Sequence, residues 1–252
     1  NRNRLTASGI NDIELYLKIN LFVETLNISG NSIKNEGFVL LCRGLEKNQN
    51  LLYLNISNND IHSKGIKQGL NLITTTKLYS FNISNNPFLV EGLICLTSSL
   101  KNFQNLHKLN VSNCGFEFKG FQFLLNMLQF TKRIEYLNVS GNDIKSPMFE
   151  LVRPCFSSFG VKYLNMSKCS LGDESTLILG ECISSNETIK NLNISENKIS
   201  DAGFNSFVNI FQSNNSIESF DVSVNFISDV TAKDFIKNMK FNHTLNRLNF
   251  FD

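Results

Sequence analysis

Six cysteines and three histidines are the residues of this sequence that most readily bind metals or act as nucleophiles. The cysteines are Cys42, Cys95, Cys114, Cys155, Cys169 and Cys182. No two of them form a Cys-x-x-Cys pair, and their spacing matches no zinc pattern. The histidines are His62, His107 and His243, and they form no catalytic arrangement with serine, cysteine or paired carboxylates. The glycines recur singly and form no phosphate-binding loop. We therefore expect a chain that is not an enzyme and that holds no metal or cofactor.

The composition restricts the classes of partner. Lys and Arg number 24 against 22 Asp and Glu, which leaves a net charge of +2 and no basic excess for nucleic acid. The chain has 252 residues, of which 42% are hydrophobic and 18% charged, so it can bury an ordinary core. Its longest apolar runs, such as residues 38–42, are too short to span a bilayer. We expect neither nucleic acid nor membrane as a partner.

The sequence is organised by one internal repeat, which is the motif Leu-Asn-apolar-Ser and close variants of it. Its leading residues are Leu26, Leu54, Phe81, Leu109, Leu137, Leu164, Leu192, Phe220 and Leu248. They are separated by 27 or 28 residues along the whole chain. A period of this length is typical of solenoids, in which each repeat is one small structural unit.

Three further positions keep the same period. The first is filled by Asn31, Asn59, Asn86, Cys114, Asn142, Cys169, Asn197 and Asn225. An apolar residue follows two positions later, and a glycine stands four positions beyond it in five repeats. Met148, Ser175 and Thr231 replace that glycine in the others. The polar position offers amide donors and an acceptor to backbone groups of a tight turn, so we interpret it as structural rather than ligand-binding.

The segment from Leu51 to Ile61 resembles the leucine-rich repeat pattern L-x-x-L-x-L-x-x-N/C-x-L at every defined position. The repeat length, and the replacement of Asn by Cys in two repeats, resemble the ribonuclease-inhibitor-like subclass. This resemblance covers essentially the whole chain and implies a curved horseshoe arc. The same architecture serves many unrelated partners, so it implies little about function.

The residues predict the same architecture without the family pattern. Apolar and polar residues alternate from Tyr53 to Ser57, which predicts a short strand with one buried face. Phe207, Ile210 and Phe211 fall at helical spacing, and Asp201 precedes them as a candidate N-cap. We predict an α/β solenoid with a parallel sheet on the concave face and helices on the convex face. The nine strands are expected to centre on residues 27, 55, 82, 110, 138, 165, 193, 221 and 249.

The two ends fit the interior of the repeat pattern. Residues 3–9 resemble the second half of a repeat, and residues 248–250 resemble a strand without its turn and helix. Solenoids shield their terminal repeats with polar caps, and neither end has such a cap. We expect one leucine-rich repeat domain over residues 1–252, with about nine repeats, that is a piece of a longer protein.

The residues predicted to face outward from the strands are the candidate binding residues. The positions filled by Asn27, Asn55 and their equivalents, and by Ser29, Ser57 and theirs, are too uniform to specify a partner. We interpret them as ladders that satisfy one another across strands. The position before the leading apolar residue varies, and Tyr136 and Tyr163 fill it in adjacent repeats. With Lys108 and Lys168 they are expected to form an aromatic and cationic patch, since exposed tyrosine is a frequent hot-spot residue. The predicted partner-binding residues are Tyr53, Lys108, Tyr136, Tyr163, Lys168, Asp221 and Arg247.

Cysteines and glycosylation sequons bear on the compartment. The repeat predicts buried free thiols, with Cys155 and Cys182 at one equivalent helix position. Each Asn-x-Ser of the strands is a formal N-glycosylation sequon, and Asn186, Asn214 and Asn242 begin three more in loops. Glycans on adjacent strands would crowd one face and obstruct folding. We therefore predict a cytoplasmic protein, or a bacterial effector delivered into a host cytosol, with all its cysteines reduced.

The leading hypothesis for function is a monomeric, non-catalytic module that binds a protein partner on its concave face. Arcs of Ran GTPase-activating protein and of CARMIL-type actin regulators are similar, and they imply a GTPase-activating or actin-regulatory scaffold as the first alternative. The six arginines offer no distinctive motif for such activity, and Arg153-Pro154 in the irregular fifth repeat is the nearest candidate. A second alternative is the sensor arc of a NOD-like receptor.

Overall fold

A computed structural model describes residues 3, 5–73, 77–129, 131, 133–146, 148–157 and 159–250. The chain divides into two compact units, Asn1–Phe116 and Glu117–Asp252, and each is described by itself.

The first unit alternates helices with short strands. Its strands are β1 (Thr25–Asn27), β2 (Tyr53–Asn55), β3 (Ser80–Asn82) and β4 (Lys108–Asn110). Its helices are α1 (Ala7–Ile19), α2 (Lys34–Leu45), α3 (Ser63–Gly69) and α4 (Leu89–Leu100), with a 3-10 turn at Leu70–Leu72. Consecutive strands pair in parallel and place Leu26, Leu54, Phe81 and Leu109 side by side.

The second unit repeats this alternation. Its strands are β5 (Tyr136–Asn138), β6 (Tyr163–Asn165), β7 (Asn191–Asn193), β8 (Ser219–Asp221) and β9 (Arg247–Asn249). Its helices are α5 (Phe118–Leu128), α6 (Arg153–Ser157), α7 (Gly172–Ser184), α8 (Asp201–Ser213) and α9 (Asp229–Asn238), with 3-10 turns at Phe149–Val152 and Met239–Phe241. The strands again pair in parallel at the repeat register. The predicted α/β alternation of parallel strands and helices is confirmed within each unit.

Each strand in the described ranges is three residues long. The middle residue is buried in β2 to β8, half-buried in β1 (Leu26) and exposed in β9 (Leu248). In β4, for example, Leu109 is buried while Lys108 is exposed and Asn110 is half-buried. We call the side that carries the first and third strand residues the open face. The strands centre one residue earlier than predicted, because the Asn that ends β1 to β7, and Asp221 at the end of β8, turn the chain with their own side chains. The Asn55 Oδ1 accepts hydrogen bonds from the Ser57 N–H at 3.1 Å and from the Ser57 hydroxyl at 2.8 Å.

The core lies between the strands and the inner faces of the helices. In α8, the predicted helical face of Phe207, Ile210 and Phe211 is buried, together with Phe204. The Phe211 ring packs 4.9 Å from the Phe220 ring of β8, centroid to centroid. Large rings therefore fill the space between a thin strand and a wide helix.

Helix starts are tied to the preceding repeat rather than capped as predicted. Ser200, not Asp201, is the N-cap of α8, and its hydroxyl accepts a bond from the Ala202 N–H. The Asp201 carboxylate instead accepts a 2.7 Å bond from the Ser228 N–H, at the start of α9. Asp173 does the same for Ser200 one repeat earlier, also at 2.7 Å. These side chains point away from their own helix ends because the next repeat stacks against them.

The glycine position marks where consecutive helices approach closely. A Cβ on Gly203 would lie 2.8 Å from the Asp173 backbone, so a side chain there requires a shift. In the fifth repeat Met148 occupies this position and is exposed. The chain there forms a four-residue 3-10 turn and the five-residue α6 instead of a full helix. The predicted irregularity of the fifth repeat is confirmed.

Candidate interaction surface

The Asn of the turn after a strand bonds to backbone groups, and Asn197 shows the most complete set of these bonds. Asn197 is completely buried, and its amide nitrogen donates to the carbonyls of Met166, Ile194 and Ser195 at 2.8, 2.9 and 3.1 Å. Its oxygen accepts from the N–H groups of Cys169 and Leu171. The side chain therefore joins two repeats. The predicted structural role is confirmed at this residue.

The thiols at this position replace part of that network. Cys169 Sγ contacts the carbonyls of Val139 and Ser167 at 3.5 and 3.4 Å, and Cys114 is placed in the same way. Burial raises the pKa of each of these two thiols to about 12. None of the six cysteines is in a disulfide, and all but the half-buried Cys95 are buried. The predicted burial of Cys155 and Cys182 is confirmed.

A second row of asparagines lies before the strands and was not predicted. Asn48, Asn186, Asn214 and Asn242 each precede the leading strand residue by six positions. The Asn214 amide donates to the carbonyls of Ile183 and Asn186, while its oxygen accepts from the N–H groups of Ser216 and Ile217. The recurring Asn-x-polar-Leu/Ile pattern was the available signal. Asn186, Asn214 and Asn242 were predicted only as N-glycosylation sequons in loops.

The strand asparagines bond within their own repeat, in place of the expected ladder across strands. Their oxygens accept from the serine two residues later, as in Asn82 with Ser84 and Asn193 with Ser195. The Asn193 amide also bonds across strands, to the Asp221 carboxylate at 3.3 Å. The uniform row is thus explained by turn formation within each repeat.

In the second unit, the open face carries a tyrosine pair beside a small cleft. The rings of Tyr136 and Tyr163 lie 6.3 Å apart, and 47% of Tyr163 is exposed. We call the adjoining depression the β7 cleft, and its volume is about 230 Å³. It is lined by Tyr136, Tyr163, Leu164, Asn165, Asn191, Leu192, Asn193, Ser219 and Asp221. Two more of the predicted binding residues lie in this region. Asp221 lines the cleft, whereas Arg247 is exposed on the neighbouring strand β9.

The cationic part of the predicted patch is arranged differently from the expectation. Lys168 lies at the exposed turn after β6 with φ 55°, and its ammonium pairs with Glu196 of the next repeat at 3.1 Å. Its charge is therefore compensated. Before the strands, Lys162 pairs with Glu135 at 2.8 Å and Lys190 with Glu218 at 3.5 Å. Lys108 belongs to the first unit.

In the first unit, a different aromatic group lies at the starts of β2, β3 and β4, and we call it the Tyr79 cluster (Tyr53, Tyr79, His107 and Lys108). The rings of Tyr79 and His107 stack at 4.8 Å, and Tyr53 meets Tyr79 edge-on at 5.9 Å. The Lys108 ammonium lies 5.8 Å from the Tyr79 ring centre, within cation–π distance. Tyr53 and Lys108 were predicted, whereas Tyr79 and His107 were not. Both stand two residues before the leading apolar residue of their repeat, a position that was not predicted to take part in binding.

Metal-ligating side chains and Arg153 are the groups of the described residues that bear on catalysis. Within the ranges that the structure describes, no three His, Cys, Asp or Glu side chains lie together as metal ligands. Arg153, the candidate loop arginine, donates to Glu150 at 2.7 Å and also pairs with Glu181. The hydrogen bonds that the Arg153 guanidinium donates to these two carboxylates raise its pKa. None of the helices in the described ranges combines the length and apolar character that a membrane span requires.

Three segments of the chain are similar to a known protein family. A family model described as the leucine rich repeat matches residues 20–42, 47–67 and 185–205, which lie in both units. Each matched segment carries the strand, Asn turn and helix start of the repeat, so the chain contains leucine-rich repeats in these segments. Domains of this kind are typically non-catalytic scaffolds for protein interactions. A search of the curated proteins gives no match.

Two solved structures are similar to parts of the chain. One is actin-binding site 2 of leiomodin-1, with 20% identity over 50% of this chain and 76% of that one, and a TM-score of 0.45. The other is an internalin (inlF) from Listeria monocytogenes strain 4b F2365, with 16% identity over 92% of this chain and 76% of that one, and a TM-score of 0.49. Similarity at this level carries nothing about the partner of this chain.

Proposed function

We propose that this chain is a non-catalytic module that binds a protein partner on the open face of its strands. The observation that carries the proposal is the pair Tyr136 and Tyr163 on β5 and β6. The pair stands on a face where the core does not require an aromatic ring, since the buried residues of these strands are Leu137 and Leu164.

The physical argument concerns what exposed tyrosines provide to a partner. Each ring offers a large apolar area with few rotatable bonds, so little side-chain entropy is lost on binding. The surrounding Asn and Ser side chains are polar and uncharged, and most of their acceptors already serve the turns. They suit the polar rim of an interface, while the tyrosines suit its centre.

The remaining predicted residues extend this proposal. In the second unit, Lys168, Asp221 and Arg247 provide charged groups near the open face. In the first unit, Tyr53 and Lys108 contribute through the Tyr79 cluster, which gives that unit a contact surface of its own. We further propose that the repeats are of the ribonuclease-inhibitor-like kind, because of their spacing and their Asn or Cys turn.

The experiment compares capture of partners by the native chain and by the variant with Tyr136→Ala and Tyr163→Ala. Proteins that the native chain enriches are identified by mass spectrometry and their affinities are then measured with purified partner. We expect the double variant to weaken binding by about 2 kcal/mol or more. Tyr16→Ala removes an equally exposed tyrosine from α1 and is the matched control, expected to bind as the native chain does.

Two results would overturn the proposal. Full affinity of the double variant would remove the tyrosine pair from the binding surface. Faster nucleotide hydrolysis by a GTPase on addition of the chain would instead establish the GTPase-activating alternative. Arg153 disfavours that alternative, because two carboxylates already hold its guanidinium.

We also propose that the protein works in the cytosol. Its six cysteines form no disulfide, and the sequon residues Asn186 and Asn214 use their amide nitrogens inside the fold, where a glycan has no room. Alkylation under denaturing, non-reducing conditions is expected to add a label to all six cysteines. A mass lower by one pair of labels would establish a disulfide and contradict this location. The single repeat domain over residues 1–252, the monomeric state and the exclusion of nucleic acid and membrane partners stay predictions.

A further inference from the structure

We propose that the β7 cleft binds an arginine side chain of the partner, with the guanidinium placed between Tyr163 and Asp221. This inference rests on the proposed function, because it names the partner chemistry that the open face of the second unit recognises.

The shape of the cleft follows from strand register and side-chain size. Tyr163, Asn191 and Ser219 lie side by side on β6, β7 and β8. Neighbouring strands are about 4.8 Å apart, so β6 and β8 are separated by about 10 Å. The short Asn191 and Asn193 on β7 form the floor, while Tyr163 rises on one side and Asp221 lies on the other. The volume, about 230 Å³, is below the roughly 300–1,000 Å³ of small-molecule pockets and suits a single side chain.

The charge of the cleft comes from Asp221. Asn occupies the same position in the other eight strands, so this carboxylate is the one departure in the row. Its Oδ1 accepts from the Ser223 N–H at 3.1 Å and the Ser223 hydroxyl at 2.7 Å, as an Asn oxygen does elsewhere. Its Oδ2 accepts a long bond from Asn193 at 3.3 Å. Across the residues that the structure describes, no cation lies within ion-pair distance of Asp221.

The neighbouring lysines do not supply the missing positive charge. Lys168 is paired with Glu196 and Lys190 with Glu218, so each has a carboxylate of its own. The cleft therefore presents a negative group beside an aromatic wall, and a cationic group of the partner complements both.

The combination favours arginine over lysine. A guanidinium is planar, so it stacks on the face of a tyrosine while its edge donates hydrogen bonds to a carboxylate. An ammonium is a more strongly hydrated point charge and gains less from the ring. Asn191 also lines the cleft and adds an amide oxygen for the remaining N–H groups of a guanidinium, whereas the Asn193 oxygen already accepts from Ser195.

The test uses the whole chain and three matched probes, the N-acetyl methylamides of arginine, lysine and citrulline. Citrulline has the shape of arginine without its charge. Binding is followed by the shifts of backbone amide signals in two-dimensional NMR during titration. We expect arginine to shift Asn191, Asn193 and Asp221 and to bind more tightly than lysine, and citrulline to produce no saturable shift.

Three variants locate the site. Asp221→Asn is expected to weaken arginine binding by about fivefold, the effect of one solvent-exposed ion pair. It preserves the fold because Asn already makes the same turn in every other repeat. Tyr163→Ala is expected to weaken binding by about threefold and Tyr163→Phe much less, since phenylalanine keeps the ring. Glu187→Gln removes an equal charge from an exposed loop and is expected to bind arginine as the native chain does.

The outcomes separate this inference from the proposed function. An arginine affinity that is unchanged by Asp221→Asn, or equal binding of citrulline, would overturn the arginine site. If the tyrosine double variant still loses the captured partner, the binding face stands and only its chemistry is wrong. If the arginine probe behaves as expected but the double variant keeps full partner affinity, the proposed function falls instead.

Discussion

Asn193 and Asn197 stand four residues apart in one repeat and do different work, which is clear from their surroundings. Asn193 lies half-buried on the open face, and its oxygen closes the turn of its own repeat through Ser195. Asn197 is completely buried, and it bonds to backbone groups of its own repeat and of the one before. The two rows of asparagines therefore have separate causes. The row of Asn193 forms a turn, and the row of Asn197 joins neighbouring repeats.

The comparison also separates folding from recognition. Both asparagine rows are nearly uniform, interrupted only by Asp221 in one and by Cys114 and Cys169 in the other, because the same backbone geometry recurs from repeat to repeat. The open-face position before the leading apolar residue has no such constraint, and there the chain carries Thr, Tyr, Ser, Lys, Asn and Arg. Differences among repeats at that position are where a specific partner can be recognised. The predictions below test this division.

The largest effect is expected from removing a buried turn amide. Asn197→Ala leaves three carbonyls and two N–H groups without this partner, at roughly 1–3 kcal/mol for each buried group that stays unpaired. We expect the free energy of unfolding to fall by about 3 kcal/mol or more, measured by urea denaturation.

Asn59 provides a comparison within the same row. Its amide nitrogen donates to the carbonyls of Ile28, Ile56 and Ser57, but its Oδ1 accepts no hydrogen bond. Asn59→Ala should therefore cost about 1 kcal/mol less than Asn197→Ala. Equal losses for the two variants would show that the acceptor bonds of Asn197 contribute nothing.

The next effect concerns the buried thiols that replace two of these asparagines. Burial raises the pKa of Cys114 and Cys169 from 9.0 to about 12. A raised pKa favours the neutral thiol in the folded state, so its contribution to stability is complete below about pH 9. Above that pH the unfolded thiols ionise first, and stability falls by about 1.4 kcal/mol per pH unit for each thiol until about pH 12.

Cys169→Ser isolates one of these thiols, because a hydroxyl still donates but does not ionise in this range. Between about pH 8 and pH 10.5, the native chain should lose about 2 kcal/mol more than the serine variant does. Urea denaturation under reducing conditions measures both. Parallel losses for the two proteins would mean that the Cys169 thiol ionises as easily when folded as when unfolded.

A smaller effect is expected on the open face. Asn55→Ala removes the acceptor for the Ser57 N–H and hydroxyl, both only partly buried, so water can replace it. We expect a loss of about 0.5–1 kcal/mol in the free energy of unfolding. Asn55→Asp keeps the acceptor, as Asp221 does naturally, and should stay within about 0.5 kcal/mol of the native chain. A loss as large as that of Asn59→Ala would contradict the assignment of the two rows.

The sequence predicted the features that repeat within one unit of the pattern. The strands, the buried turn amides and the inner face of α8 all follow from periodicity and residue type, and the structure has them. It failed where a side chain bonds to the next repeat. Asp201 was predicted to cap its own helix although it bonds to Ser228, and Lys168 was predicted to give the tyrosine patch a positive charge although it pairs with Glu196.

The surface was predicted less well than the fold. Tyr79 and His107 stack only because β3 and β4 are neighbours in register, which neither residue reveals alone. The single change from Asn to Asp at residue 221 was visible in the row, but its meaning depends on the short side chains of β7 beside it. Periodicity thus predicts what all repeats share, whereas the binding face depends on their differences.

The smallest effect on stability is expected from the tyrosine pair. The rings of Tyr136 and Tyr163 lie 6.3 Å apart on adjacent strands, in contact with solvent and above a core that Leu137 and Leu164 complete. A cross-strand pair of this kind contributes roughly 0.2–1 kcal/mol. Replacing both rings with alanine should therefore change the free energy of unfolding by about 0.5 kcal/mol, while partner affinity falls by about 2 kcal/mol or more. Thermal melts of the double variant beside Asn197→Ala measure the contrast directly. A double variant as unstable as Asn197→Ala would show that the tyrosines hold the fold together, and the division between buried turns and open face would then be wrong.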